Sequence, residues 1–209
     1  MTEVTPLPGR GLYLITPEDA DTARLVDRVA PLLALGVAVL QLRNKRADAA
    51  LQRRQALALL PLCRAARTPL LINDDWRIAA DTGADGVHLG GQDGELAQAR
   101  AELGPRAIIG ASCYNELDRA RRAAAAGASY LAFGAFFPSS NKPGAPRATP
   151  DLFAAAAGLG LPLVAIGGIT PDNAPELIRA GADYVAAIAA VFNSPDPIAS
   201  VLAFHSCFA

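Results

Sequence analysis

The chain is 209 residues long, 52% hydrophobic and 19% charged, and its 19 Lys and Arg against 20 Asp and Glu give a formal net charge of −1. At this length roughly 70% of the unfolded surface can be buried, so a single domain forms a full core without disulfide or metal staples. The near-neutral charge, with no Lys/Arg tract, argues against the long basic face of a duplex-binding protein.

The first ten residues have neither a basic start nor an apolar stretch, so no secretory signal is expected. The most apolar run, 29–42, carries Pro31 and Gly36 and falls short of the roughly 20 residues that span a bilayer. Cys63, Cys113 and Cys207 are odd in number and lack C-x-x-C spacing. That argues against a disulfide framework or a zinc site and points to a reducing cytoplasm.

In chain order the first strand is predicted over 12–16 and the first helix over 20–33. A repeat then emerges. Segments 35–40, 82–87, 126–131 and 180–185 share the pattern small-Gly-small-x-x-apolar, each after an Ala/Leu/Arg-rich stretch. The physical reading is a helix stopped by Gly, a tight turn and a short strand buried on both faces. Further strands are predicted over 70–73, 108–112 and 163–166, and further helices over 47–66, 76–82, 94–103, 116–126, 149–158 and 174–180.

Strands alternating with helices pair in parallel through right-handed crossovers. The total of about eight strands favours a compact single-domain (β/α)8 TIM barrel over residues 1–209, with an open doubly wound sheet as the alternative. No G-x-G-x-x-G follows the first strand, so a dinucleotide fold gains nothing.

In a barrel, functional groups sit where strands end and loops begin. The second strand ends Gln41-Leu42-Arg43-Asn44-Lys45, with Gln41, Arg43 and Lys45 alternating onto one side of the extended chain. An Arg fork and a Lys point charge suit a phosphate or diphosphate. The third strand ends Asn73-Asp74-Asp75, where Asp75 before Trp76 reads as a helix N-cap and Asp74 as the freer carboxylate.

The fourth strand runs through His88 to Gly90-Gly91-Gln92-Asp93, so Asp74 and Asp93 are candidates to share one Mg²⁺. His88, at a strand end, is given no acid/base role. Ser112 ends the fifth strand as a polar positioning group. The Gly/Pro/Ser-rich stretch 134–144 reads as a substrate-closing loop. Gly167-Gly168 and Ile188-Ala189-Ala190 expose backbone N–H groups where this architecture commonly binds phosphate. Two anion sites imply two phosphorylated reactants.

With these motifs in order, Gln41 to Lys45, Ile72 to Asp75, Gly86 to Gly90, Gly134 with Pro138 to Pro143, and Ala165 to Ile169, the chain resembles the thiamine-phosphate synthase (thiamine-phosphate pyrophosphorylase) family from Gly11 to about Phe192. The resemblance implies a Mg²⁺-dependent transferase. It would join 4-amino-2-methyl-5-(diphosphooxymethyl)pyrimidine to a thiazole phosphate, or its carboxylated form, releasing pyrophosphate.

It further implies Gln41, Leu42, Arg43, Asn44, Lys45, Asn73, Ser112 and Lys142 at the pyrimidine diphosphate, with Arg43, Lys45 and Lys142 catalytic. Asp74 and Asp93 would hold Mg²⁺, and Ser139, Asn141, Gly168, Ile188 and Ala189 the thiazole phosphate. Departures from the usual pattern are Ser139-Ser140-Asn141-Lys142 for Thr-x-Thr-Lys, Ala189 for Ser, and Gly91 for Gln. A thiazole tautomerase-like relative and a non-catalytic phosphate binder are the alternatives, and homo-oligomerisation is left open.

Overall fold

The structure, a computed structural model, describes Leu7 and residues 9–90, 93–138 and 147–209, apart from the side chains at 93 and 94. Its elements are β1 (Gly11–Ile15), α1 (Thr22–Leu33), β2 (Val39–Leu42), α2 (Ala49–Ala66), β3 (Leu70–Asn73), α3 (Trp76–Thr82), β4 (Gly86–Leu89) and α4 (Asp93–Leu103). They continue with β5 (Ile108–Tyr114), α5 (Leu117–Ala125), β6 (Tyr130–Phe133), α6 (Asp151–Ala156), β7 (Leu163–Ile166), α7 (Ala174–Arg179), β8 (Tyr184–Ala187), α8 (Ala189–Phe192) and α9 (Pro197–Ser206). All neighbouring strands pair in parallel, and β1 pairs with β8 to close the barrel.

The repeat found in the sequence closes the turns that follow α1, α3, α5 and α7. Gly36, Gly83, Gly127 and Gly181 all stand at positive φ (88, 70, 91 and 114°), a conformation that a side chain would strain, so the glycine lets each helix turn back into a strand. Two residues after Gly83, Gly127 and Gly181 a polar side chain clips the new strand to its predecessor. Asp85 accepts from the Leu70 N–H at 2.8 Å, Ser129 from Ile109 at 3.1 Å and Asp183 from Leu163 at 2.8 Å.

Because strand side chains alternate, the short strands feed two apolar clusters. Leu12, Leu14, Leu40, Leu70, Val87, Ile109, Leu131 and Val185 face outward to the helices. Tyr13, Ile15, Val39, Leu71, Ile108, Tyr130, Val164 and Tyr184 fill the barrel. At the lower end the Tyr184 hydroxyl donates to the Gly9 carbonyl at 2.6 Å, tying the incoming chain across the barrel floor. The upper end is left for the site.

The C-terminal tail, given no role in the sequence reading, forms α9. Asp196 caps it by accepting from the Ala199 N–H at 2.9 Å, Pro197 begins it, and Val201 and Phe204 are buried where it packs on β1 and α1. It takes the place of the helix that the very short α8 does not supply. Among the described residues no helix is long and apolar enough to cross a membrane.

Candidate active site

A cavity of about 580 Å³ opens at the C-terminal ends of the strands. Its apolar wall is Ile15, Ala132, Ile166 and Ala186, the last barrel-facing positions of their strands. Above them stand polar groups from β2 to β5, and across from those lie the loops after β7 and β8.

From β2, Gln41, Arg43 and Lys45 reach the cavity together, as their alternate spacing predicts. The same alternation turns the side chains of Leu42 and Asn44 the other way. Leu42 is buried in the outer cluster against the helices, and Asn44 is buried with its amide donating to the Asp19 carbonyl (2.6 Å) and to Gln55 (3.2 Å). Neither lines the cavity; both hold the loop that presents Arg43 and Lys45.

The two cations are held by carboxylates. Arg43 meets Glu18 at 3.3 Å, and its main chain is clasped by Thr16, whose hydroxyl accepts from the Arg43 N–H at 2.9 Å. Lys45 Nζ stands 3.1 Å from Asp74 Oδ2, both side chains about half exposed at the rim. Both cations are thereby oriented at the mouth of the cavity.

Asp74 sits at φ 64°, an αL position in which its N–H donates to the His88 carbonyl at 2.8 Å and its carboxylate stays at the surface. Asp75 is the N-cap of α3, accepting from the Arg77 N–H at 2.9 Å, which leaves Asp74 the freer of the pair. Gly90 lies opposite; a Cβ there would stand 3.6 Å from Asp74 Oδ1. Asn73 joins them in the lining.

Gly167 and Gly168, at φ 101 and 64°, carry the chain tightly past residues 135–138; a Cβ on Gly168 would collide with the Pro138 carbonyl. Asn173, not singled out in the sequence, pins this loop by donating to the Gly168 carbonyl (3.0 Å) and accepting from the Thr170 N–H (2.9 Å). Ile188 and Ala189, where α8 begins, complete that side. Ser139, Asn141 and Lys142 lie outside the described residues, as do Gly91 and the Asp93 side chain.

Beneath the cations the barrel interior holds a row of polar side chains absent from the sequence reading as a set. Gln41 Nε2 donates to the Tyr13 hydroxyl (2.8 Å), the Tyr13 and Tyr130 hydroxyls are 2.7 Å apart, Tyr130 meets His88 Nδ1 (2.8 Å), and His88 Nε2 meets Ser112 Oγ (2.9 Å). Tyr13 and Tyr130 are single polar-tipped residues at inward positions of otherwise apolar strands; that alternation was the available signal. Burial pushes both phenols well above the usual tyrosine range, so both keep their protons at neutral pH.

The profile of the thiamine monophosphate synthase family matches residues 12–191. The chain belongs to that family. It is 57% identical to the thiamine-phosphate synthase of Methylobacillus flagellatus over 208 residues, covering 100% of both chains. It is also 57% identical to that of Xanthomonas campestris pv. campestris (strain 8004) over 199 residues, covering 95% of this chain and 96% of the relative.

Among solved structures, thiamine phosphate pyrophosphorylase from Pyrococcus furiosus superposes with a TM-score of 0.82 at 32% identity, covering 94% of each chain. A 3-hexulose-6-phosphate synthase superposes at 0.71 with 19% identity over 95% of this chain and all of the other, a likeness of barrel alone.

Proposed function

We propose that this thiamine-phosphate synthase family member is a transferase that joins 4-amino-2-methyl-5-(diphosphooxymethyl)pyrimidine to a thiazole phosphate. The observation that carries the reading is a single cavity with anion-binding chemistry at two ends. Arg43 and Lys45 stand over one end, and the Gly167-Gly168 and Ile188-Ala189 backbones line the other.

The C–O bond between the pyrimidine methylene and the diphosphate breaks, and both electrons leave on oxygen. The 4-amino group stabilises the methylene cation through the ring. The thiazole ring nitrogen then captures it, forming the C–N bond of thiamine phosphate. Arg43 and Lys45 offset the charge that builds on the leaving diphosphate, the kind of preorganised electrostatic contribution that dominates such reactions. The apolar wall of Ile15, Ala132, Ile166 and Ala186 keeps competing water from the cation.

The family resemblance implies Mg²⁺, and the donor chemistry fits. Asp74 offers an exposed carboxylate oxygen beside Asn73, with glycine at position 90 leaving its approach open. Mg²⁺ takes one or two carboxylates and fills its remaining positions from substrate phosphate and water. Asp74, with Asp93 as the second carboxylate, would hold it. When bound, such an ion neutralises charge on the diphosphate.

The test is pyrophosphate release and thiamine phosphate formation by the purified chain with both reactants, with Mg²⁺ and with a chelator. Product with Mg²⁺ that disappears on chelation supports the reading. Product in full with chelator overturns the metal assignment. Binding of either reactant without product overturns the synthase reading in favour of a tautomerase-like relative or a binder.

A further inference from the structure

We infer that Tyr13, Tyr130 and His88 form a one-way hydrogen-bond relay through the barrel interior that sets the pocket-facing end of Gln41 as an acceptor and that of Ser112 as a donor. The protons available along the row fix its direction. Gln41 Nε2 donates to the Tyr13 oxygen, and the Tyr130 oxygen, 2.7 Å away, is the partner placed to take the single Tyr13 proton, which would otherwise be buried without an acceptor. The Tyr130 oxygen is then an acceptor, and its own proton is directed at His88 Nδ1 at 2.8 Å.

A neutral imidazole carries one proton, which is thereby placed on Nε2 and donated to Ser112 Oγ at 2.9 Å. A proton on Nδ1 would leave the Tyr130 hydroxyl and the imidazole N–H pointing at each other. At the two ends, Gln41 is left with its Oε1 and Ser112 with its hydroxyl proton, and both residues line the cavity.

Three features hold the row in place. Tyr13 and Tyr130 are edge-to-face with centroids 5.8 Å apart, and His88 stacks on Tyr130 at 5.6 Å and 21°. Gly110 of β5 leaves the space that the Tyr130 phenol occupies, since a Cβ there would overlap it. All three relay side chains are buried, so water does not compete for their bonds.

An acceptor at one side of the pocket and a donor at the other select a flat heterocycle that offers an amino N–H to Gln41 and an unprotonated ring nitrogen to Ser112. This ligand half of the inference rests on the aminopyrimidine reactant proposed above. The order of the hydrogen bonds does not. Tyr13, Tyr130 and His88 are accordingly positioning residues acting through Gln41 and Ser112.

The relay is tested first without turnover, by long-range ¹⁵N–¹H correlation on protein labelled at histidine; the chain has only His88 and His205, and a His205→Gln variant assigns the two. The expected spectrum of His88 is the neutral Nε2–H tautomer. An Nδ1–H or doubly protonated ring at neutral pH overturns the relay, whether or not the chain makes thiamine phosphate.

Tyr130→Phe keeps the ring and removes the link. It should populate the Nδ1–H tautomer and raise KM for the pyrimidine diphosphate about tenfold, the scale of one buried hydrogen-bonding group left unmatched, with KM for the thiazole phosphate unchanged. An unaltered tautomer and unaltered KM in a folded Tyr130→Phe protein overturns it. Absence of turnover in the wild-type chain would instead fail the proposed function and leave the tautomer result standing.

Discussion

Single residues in this site divide sharply by which way they point. Arg43 reaches the cavity while Leu42 and Asn44 on either side are buried away from it. The Arg43–Glu18 pair is partly exposed, and pairs of that kind contribute at most about 1 kcal/mol to stability. Arg43→Ala should therefore leave the thermal midpoint within a few degrees and still lower kcat by roughly 100-fold or more, because charge on the departing diphosphate loses a preorganised partner. Pyrophosphate release measured beside a melting curve checks both halves. A variant that melts normally and turns over normally removes Arg43 from the machinery.

At the scale of the element, β5 shows how a strand is shaped by what its neighbour must hold. Its Gly110 makes room for the Tyr130 phenol of β6, and two residues on Ser112 meets His88 of β4. Gly110→Ala puts a methyl into that space. Overpacking of this kind costs about 1–3 kcal/mol, read as a lowered denaturant midpoint with an unchanged slope. The same change should move the His88 tautomer signal, since the displaced phenol is its partner. Ala at position 110 without loss of stability would show that β5 and β6 shift apart more freely than their parallel pairing allows.

For the whole molecule, closure of β1 on β8 makes every strand depend on its neighbours, so a local titration is read out in global stability. Asp19, at the loop after β1, is buried and accepts from the Arg24 guanidinium at 2.6 and 2.8 Å and from the Asp21 N–H at 2.8 Å. Its hydrogen bonds to Arg24 hold its carboxyl below the ordinary value of 3.8. A lowered carboxyl contributes stability that is present above the unfolded value and is lost as pH falls through the folded one. Stability should thus fall on acidification below 3.8, and Asp19→Asn should melt lower at neutral pH while showing a shallower fall in acid. Melting curves across that range check the sign; equal slopes for both proteins would rule Asp19 out as a contributor.

The αβ repeat and the parallel pairing are legible in the sequence, because a glycine stop followed by a doubly buried strand is a local pattern; the strand total favours a barrel, and the pairing of β1 with β8 is what excludes the open sheet. The sequence by itself also determined that Gln41, Arg43 and Lys45 share a face and that Asp75 caps a helix, since both follow from local geometry.

It did not reveal α9 as the helix that covers β1, because a short apolar tail has no partner until the barrel has closed. Nor did it show that Asn44 serves Asp19 and Gln55, or that Tyr13, Tyr130 and His88 form one hydrogen-bonded row. The Asn44 contacts join the loops after β1 and β2 to α2, and the row joins strands that are far apart in sequence. Only the closed barrel, which brings β1, β4 and β6 around a common interior, decides them.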